Sequence, residues 1–146
     1  MDKAEVIGRY QKLLEELDEP AERVILCGGS ALVVLGIRET TSDLDVDIDP
    51  KLFKFYATKF PVKKEPNVND LIEFAPDVDI HEFDPDTGIV FVNGVWSYSP
   101  SAMLIQKRHL ARMPNRKPGK REQDLIDIQQ LELLVKGQRL TARVLA

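Results

Sequence analysis

The chain has little cysteine: Cys27 is the only one among 146 residues. No disulfide can form within the chain, and a cysteine-built zinc framework is excluded. Cys27 ends the apolar run Val24-Ile25-Leu26-Cys27 and reads as a small buried hydrophobe. Long hydrophobic runs are also missing, so no stretch is expected to span a membrane. The N-terminus is a polar amphipathic segment, so no signal peptide is expected and a cytosolic location is. Aromatics make up 7%, while 43% hydrophobic and 30% charged residues are ordinary for a globular domain. The length suits one domain with its own core. We therefore expect a single unit over 1–146: an N-terminal helix in 1–22, a sheet with helices in 23–98, and C-terminal helices in 99–136.

The net charge of −4 is unevenly spread. Residues 104–146 hold ten of the 20 Lys+Arg and four of the 24 Asp+Glu, which leaves the remainder of the chain strongly acidic. A basic segment of this kind suits a polyanion, either nucleotide phosphates or an RNA backbone, or it decorates solvated helices.

The apolar spacing of Val6, Tyr10, Leu13, Leu14 and Leu17 predicts a packing helix over 3–18, stopped by Pro20. A strand is expected at 23–27. Gly28-Gly29-Ser30 then turns the chain sharply into a helix reaching about Leu35, with Gly36 as its cap. Glycines let the backbone approach a ligand closely. The first helical amides favour an anion, and Ser30 can donate its hydroxyl to a phosphate oxygen.

Next comes Ser42-Asp43-Leu44-Asp45-Val46-Asp47-Ile48-Asp49. Period two puts Asp43, Asp45 and Asp47 on one face of a strand and the aliphatics on the other. Like charges so placed repel, which points to a cation between them. Asp47 and Asp49 read as surface or strand-end acids. Arg38, just upstream, is either a phosphate contact or a partner for nearby carboxylates.

Residues 51–59 read as a helix, and 60–70, with Pro61 and Pro66, as a strand end and loop. Strands follow at 71–75 and 77–81. In the second, Asp77, Asp79 and His81 share a face, and either Asp79 or Asp77 could join the acidic cluster. After a turn at Asp84-Pro85-Asp86-Thr87-Gly88, Asn93-Gly94 predicts a hairpin between 89–92 and 95–98. Trp96 reads as core. Ser99-Pro100 starts a helix to about Met113 in which Lys107 interrupts an apolar stripe. That lysine must reach an anion or extend to water. Residues 114–121 read as a basic mobile linker. The last helix, about 121–136, carries Asp124 and Asp127 on the same side as Ile128, Leu131 and Leu134, followed by a loosely held tail.

Gly28-Gly29-Ser30 ahead of Asp43-Leu44-Asp45 resembles the signature of the nucleotidyltransferase (polymerase-beta-like) superfamily. The Gly-Gly-x-Ala-Leu wording, Arg38, Lys107 and Asp124/Asp127 bring it nearest to small AbiEii/MenT-like and related prokaryotic or phage members, often found in toxin–antitoxin settings. The resemblance implies an α+β (α/β) fold with a mixed sheet of about four to five strands, flanking helices and a C-terminal helical pair. It implies a metal-dependent transferase moving a nucleoside monophosphate from an NTP to an acceptor hydroxyl, RNA or tRNA among the candidates. Asp43, Asp45 and Asp79 would hold Mg²⁺ or Mn²⁺. Gly28, Gly29, Ser30, Arg38 and Lys107 would contact the nucleotide. Asp47, Asp124 and Asp127 are further site candidates. The small size implies a homodimer or a partner protein. The alternative is a module of the same fold that binds without turnover.

Overall fold

The computed structural model describes residues 1–64, 70–83 and 87–145, with side chains to residue 138. The expected turn at Asp84-Pro85-Asp86 and the loop around Pro66 fall outside the described residues. Among the described residues no helix is long and apolar enough to cross a membrane.

Helix α1 (Lys3–Leu17) begins at a reciprocal cap: Asp2 accepts from the Glu5 amide, and the Glu5 side chain accepts from the Asp2 amide. Its buried stripe is Val6, Tyr10, Leu13 and Leu17. A short 3-10 turn (Ala21–Arg23) leads to β1 (Val24–Leu26), α2 (Gly28–Val34) and β2 (Leu44–Ile48). Gly36 takes a φ of 80° just past α2, as the sequence suggested. Helix α3 (Pro50–Ala57) is capped by Asp49, which accepts from the Lys51 amide. Then come β3 (Val62–Lys63), β4 (Leu71–Ala75), β5 (Val78–Glu82), β6 (Ile89–Val92) and β7 (Val95–Tyr98). Asn93 (φ 51°) and Gly94 (φ 81°) form the tight turn between β6 and β7. Ser99 caps α4 (Pro100–Ala111) by accepting from the Ala102 amide.

The strands form one mixed sheet in the order β3-β4-β5-β2-β1-β7-β6. Its seven strands exceed the four to five expected. The hairpin is not a separate ribbon, because β7 docks parallel to β1 with Leu26 opposite Ser97, and two-residue β3 extends the far edge. The centre is acidic on one side and apolar on the other: β2 is antiparallel to β1 and parallel to β5, and Leu44, Val46 and Ile48 are fully buried. Helices α1 and α2 pack against β2, and α3 packs against β5.

Helix α5 (Pro118–Leu145) departs from expectation at both ends. Pro118 opens it, so the supposed mobile linker is partly helix. Gly137 does not end it. A glycine inside a helix costs only about 1 kcal/mol against alanine, and no proline follows to stop the turn.

Tyr10 ties α1 to the start of the sheet. Its buried hydroxyl lies 3.0 Å from the Ala21 carbonyl and 2.8 Å from that of Val24. Burial lifts its phenol pKa to about 12, so it stays a donor. Tyr10→Phe should cost roughly 1 kcal/mol, read as a lower urea midpoint at unchanged slope.

Candidate active site

Ser30 joins the glycine turn to the acidic strand. Its fully buried hydroxyl accepts from the Asp45 amide at 2.9 Å and donates to the Asp43 carbonyl at 3.1 Å. The hydroxyl expected to meet a phosphate is engaged here with the backbone on either side of Leu44. Thr41, unremarkable in the sequence, also donates to the Asp43 carbonyl, at 3.4 Å.

The glycines matter for what they leave out. Gly28 has a φ of 51°, and a Cβ there would stand 2.9 Å from Asp45 Oδ2. At Gly29 a Cβ would collide with Thr41 Oγ1 and stand 3.4 Å from Arg38 Nη1. The turn is therefore packed directly against Asp45, Thr41 and Arg38. The first bond within α2 runs from the Ala31 amide to the Cys27 carbonyl at 3.1 Å, one turn beyond the amides of Gly28, Gly29 and Ser30.

The strand register brings the carboxylates together. Asp45 of β2 lies opposite Asp79 of β5, and Asp79 lies opposite Glu73 of β4. Asp43 stands two residues before Asp45, immediately before β2. Burial pushes the Asp45 carboxyl up to about 7, with Asp79, Asp43 and Asp47 adding repulsion and Lys107 opposing it. The Asp79 carboxyl is raised by burial and then by Asp43. Asp77 goes elsewhere: Arg9 donates to it at 2.9 Å and holds its carboxyl below the ordinary value. Glu73 was missed because only the strand register, not its own surroundings in sequence, marks it.

Asp47 is not the surface acid expected. It is 9% exposed, lies opposite His81, and accepts from the Tyr98 hydroxyl. The Cys27 thiol is raised well above its ordinary value by burial and by the Asp47 and Asp45 charges.

Lys107, Asp124 and Asp127 form a buried ion network. Lys107 contacts Asp124 at 2.9 Å and Asp127 at 3.3 Å. Arg116 grips both Asp124 oxygens, at 2.8 and 2.9 Å. Arg38 grips both Asp127 oxygens, at 3.2 and 2.6 Å. Arg38 is thus a carboxylate partner, but of an acid 89 residues away rather than of its neighbours. Lys107 neither points at open solvent nor waits unpaired. Three cations meet two carboxylates, so the network carries one positive charge in excess. That charge reaches Gly29 through Arg38 and Asp45 through Lys107. Arg116, assigned to the linker by sequence, is the partner that reasoning missed.

Among the described residues no three His, Cys, Asp or Glu side chains close around one point. The donor chemistry still suits a hard divalent cation: facing carboxylates on two strands, with Asp45 raised by burial and then by its acidic neighbours.

No family model and no curated protein matches the sequence. Among solved structures the chain resembles that of the antibiotic-resistance factor ANT(2'')-Ia in solution, with a TM-score of 0.56 and 18% identity over 99% of this chain and 96% of that one. It also resembles a crystal structure of ANT(2'')-Ia in complex with adenylyl-2''-tobramycin, with a TM-score of 0.53 and 15% identity over 95% of this chain and 99% of that one. These likenesses show that the chain shares the fold of ANT(2'')-Ia.

Two stability measurements probe the site. The folded chain holds the Asp45 proton more tightly than the unfolded chain does, about 7 against 3.8. Between those values the native state binds more protons, so metal-free stability should fall as pH rises. Asp45→Asn removes that loss and should gain on the order of 1–3 kcal/mol at pH 8, with the gain vanishing near pH 4. Asp124 has the opposite sign: burial alone would raise its carboxyl, but Arg116 and Lys107 outweigh that and lower it. Its contribution is complete above the ordinary carboxylate range and lost in acid. Asp124→Ala strands Arg116 and should cost about 3 kcal/mol at pH 7, measured by denaturant titration.

Proposed function

We propose that this chain is a nucleotidyltransferase that moves a nucleoside monophosphate from a nucleoside triphosphate to an acceptor hydroxyl. The observation that carries the reading is the Asp45–Asp79 pair, facing across adjacent parallel strands, beside a glycine turn whose missing Cβ leaves Asp45 its room. The fold likeness supports it, and kinship with the AbiEii/MenT-like members belongs to the same proposal.

In this reading Asp43, Asp45 and Asp79 hold Mg²⁺ or Mn²⁺. When bound, such an ion offsets carboxylate and triphosphate charge and makes a hydroxyl more acidic. The amides at Gly28 and Gly29 face the phosphates with no side chain between. Arg38 Nη1 and Lys107 supply the positive potential from the ion network. Asp79 completes the donor set or takes the acceptor proton. The acceptor oxygen bonds to the α-phosphorus, the bond from that phosphorus to the bridging oxygen breaks, and pyrophosphate leaves.

RNA, such as tRNA, is one acceptor class. The basic segment supports it less than its composition suggested. Lys107, Arg108, Arg116 and Arg121 have partners within the fold. Arg112, Lys117 and Lys120 are exposed around the α4–α5 connection and face a polyanion in this reading.

The test incubates the chain with Mg²⁺, each α-labelled NTP, and either total RNA or a panel of small polyhydroxyl compounds. Label should move to one acceptor class and fall on the order of 100-fold or more in Asp45→Asn. Nucleotide binding without transfer in any arm overturns the enzyme and leaves a binding module.

A further inference from the structure

The outward side of α5 carries a stripe that the fold leaves uncovered. Glu122, Ile126, Gln129, Leu133 and Lys136 follow one another at intervals of four, three, four and three residues. That spacing keeps them on one line along a helix. All five are exposed, Ile126 at 54% and Leu133 at 65%, while Asp124, Asp127, Leu131 and Val135 occupy the buried side. An open surface depression lies beside the C-terminal half of the stripe, lined by Gln129, Gln130, Glu132, Leu133 and Lys136. Helix α4 has 12 residues against 28 in α5, and Val135 is the last buried side chain described on α5. The helix backbone continues for ten residues beyond it, to Leu145.

The order of side chains along the stripe is its own complement. It runs acid, aliphatic, amide, aliphatic, base. Laid antiparallel on a second copy about Gln129, Glu122 comes level with Lys136, Ile126 falls within one residue's rise, about 1.5 Å, of Leu133, and Gln129 meets its equivalent. Both charged ends are satisfied and both aliphatic pairs are covered by the same alignment. A parallel pairing brings Glu122 onto Glu122 and Lys136 onto Lys136, which repel.

We propose that α5 forms an antiparallel, two-fold symmetric dimer with α5 of a second copy of this chain through this stripe. A two-fold interface requires a self-complementary patch, and this sequence of charges supplies one. The proposal goes beyond the transferase reading and needs neither nucleotide nor metal, so either can fail without the other.

The full chain is measured by sedimentation equilibrium over roughly 1–200 μM, with circular dichroism confirming that each variant is folded. The wild type should dimerise. Leu133→Glu, at an exposed position, should weaken the dimer by about 100-fold, because two aliphatic contacts are lost per pair. Glu122→Lys and Lys136→Glu should each weaken it, and the double exchange should restore it. A monomer at every concentration overturns the proposal and leaves the stripe to a partner of another kind. A dimer unaffected by Leu133→Glu places the interface elsewhere. Failure of the double exchange to restore association rules out the antiparallel alignment.

Discussion

Two carboxylates are forced to face each other because the strands that carry them are locked in register. Asp45 cannot leave Asp79 without Leu44, Val46 and Ile48 leaving the core, since a one-residue slip exchanges the two faces of a strand. Hydrophobic burial therefore holds an electrostatically unfavourable arrangement in place. The glycine turn completes the constraint. Gly28 lets the backbone come so close that Asp45 is hemmed in from its own side of the sheet.

The surrounding charges answer that constraint from a distance. Arg38 comes from the segment after α2, Lys107 from α4, Arg116 from the connection, and the two acids from α5. Each of these two carboxylates is shared between two cations, so no ion of the network stands alone. The network fixes the helical pair against the glycine turn and brings positive potential toward the acidic strands. The architecture thus separates a repelling acidic row from an overcompensated basic knot, and in the proposed transferase these two would serve the divalent ion and the phosphates.

Most of this fold was legible because its elements are locally consistent. The stripe Val6–Leu17, the Asn93-Gly94 turn and the Ser99-Pro100 start each specify their structure within a few residues. Alternation in β2 also foretold which acids share a face. What stayed hidden was non-local. The Asp45–Asp79 pairing could be suspected, but Glu73 joins the row only through the β4–β5 register. The partners of Lys107 and Arg38 could not be read from spacing, because ion pairs between distant segments leave no period. Asp47 looked like a surface acid because nothing nearby announces Tyr98, which closes over it from β7. Ser30 looked free because its acceptor and donor both lie beyond the next loop.

The link between Arg38 and Asp127 closes a span of 89 residues. A chain emerging from the ribosome presents its acidic strand long before the helix that disciplines the nearby arginine exists. Loops of this size close late, since their ends must be brought together at an entropic cost before any contact rewards it. The early half therefore carries its crowded negative charge without the counter-charges that α5 anchors. Only synthesis past Asp127 supplies the partner that orders this guanidinium, so a product ending before α5 would hold the acids but not the counter-charges that α5 anchors.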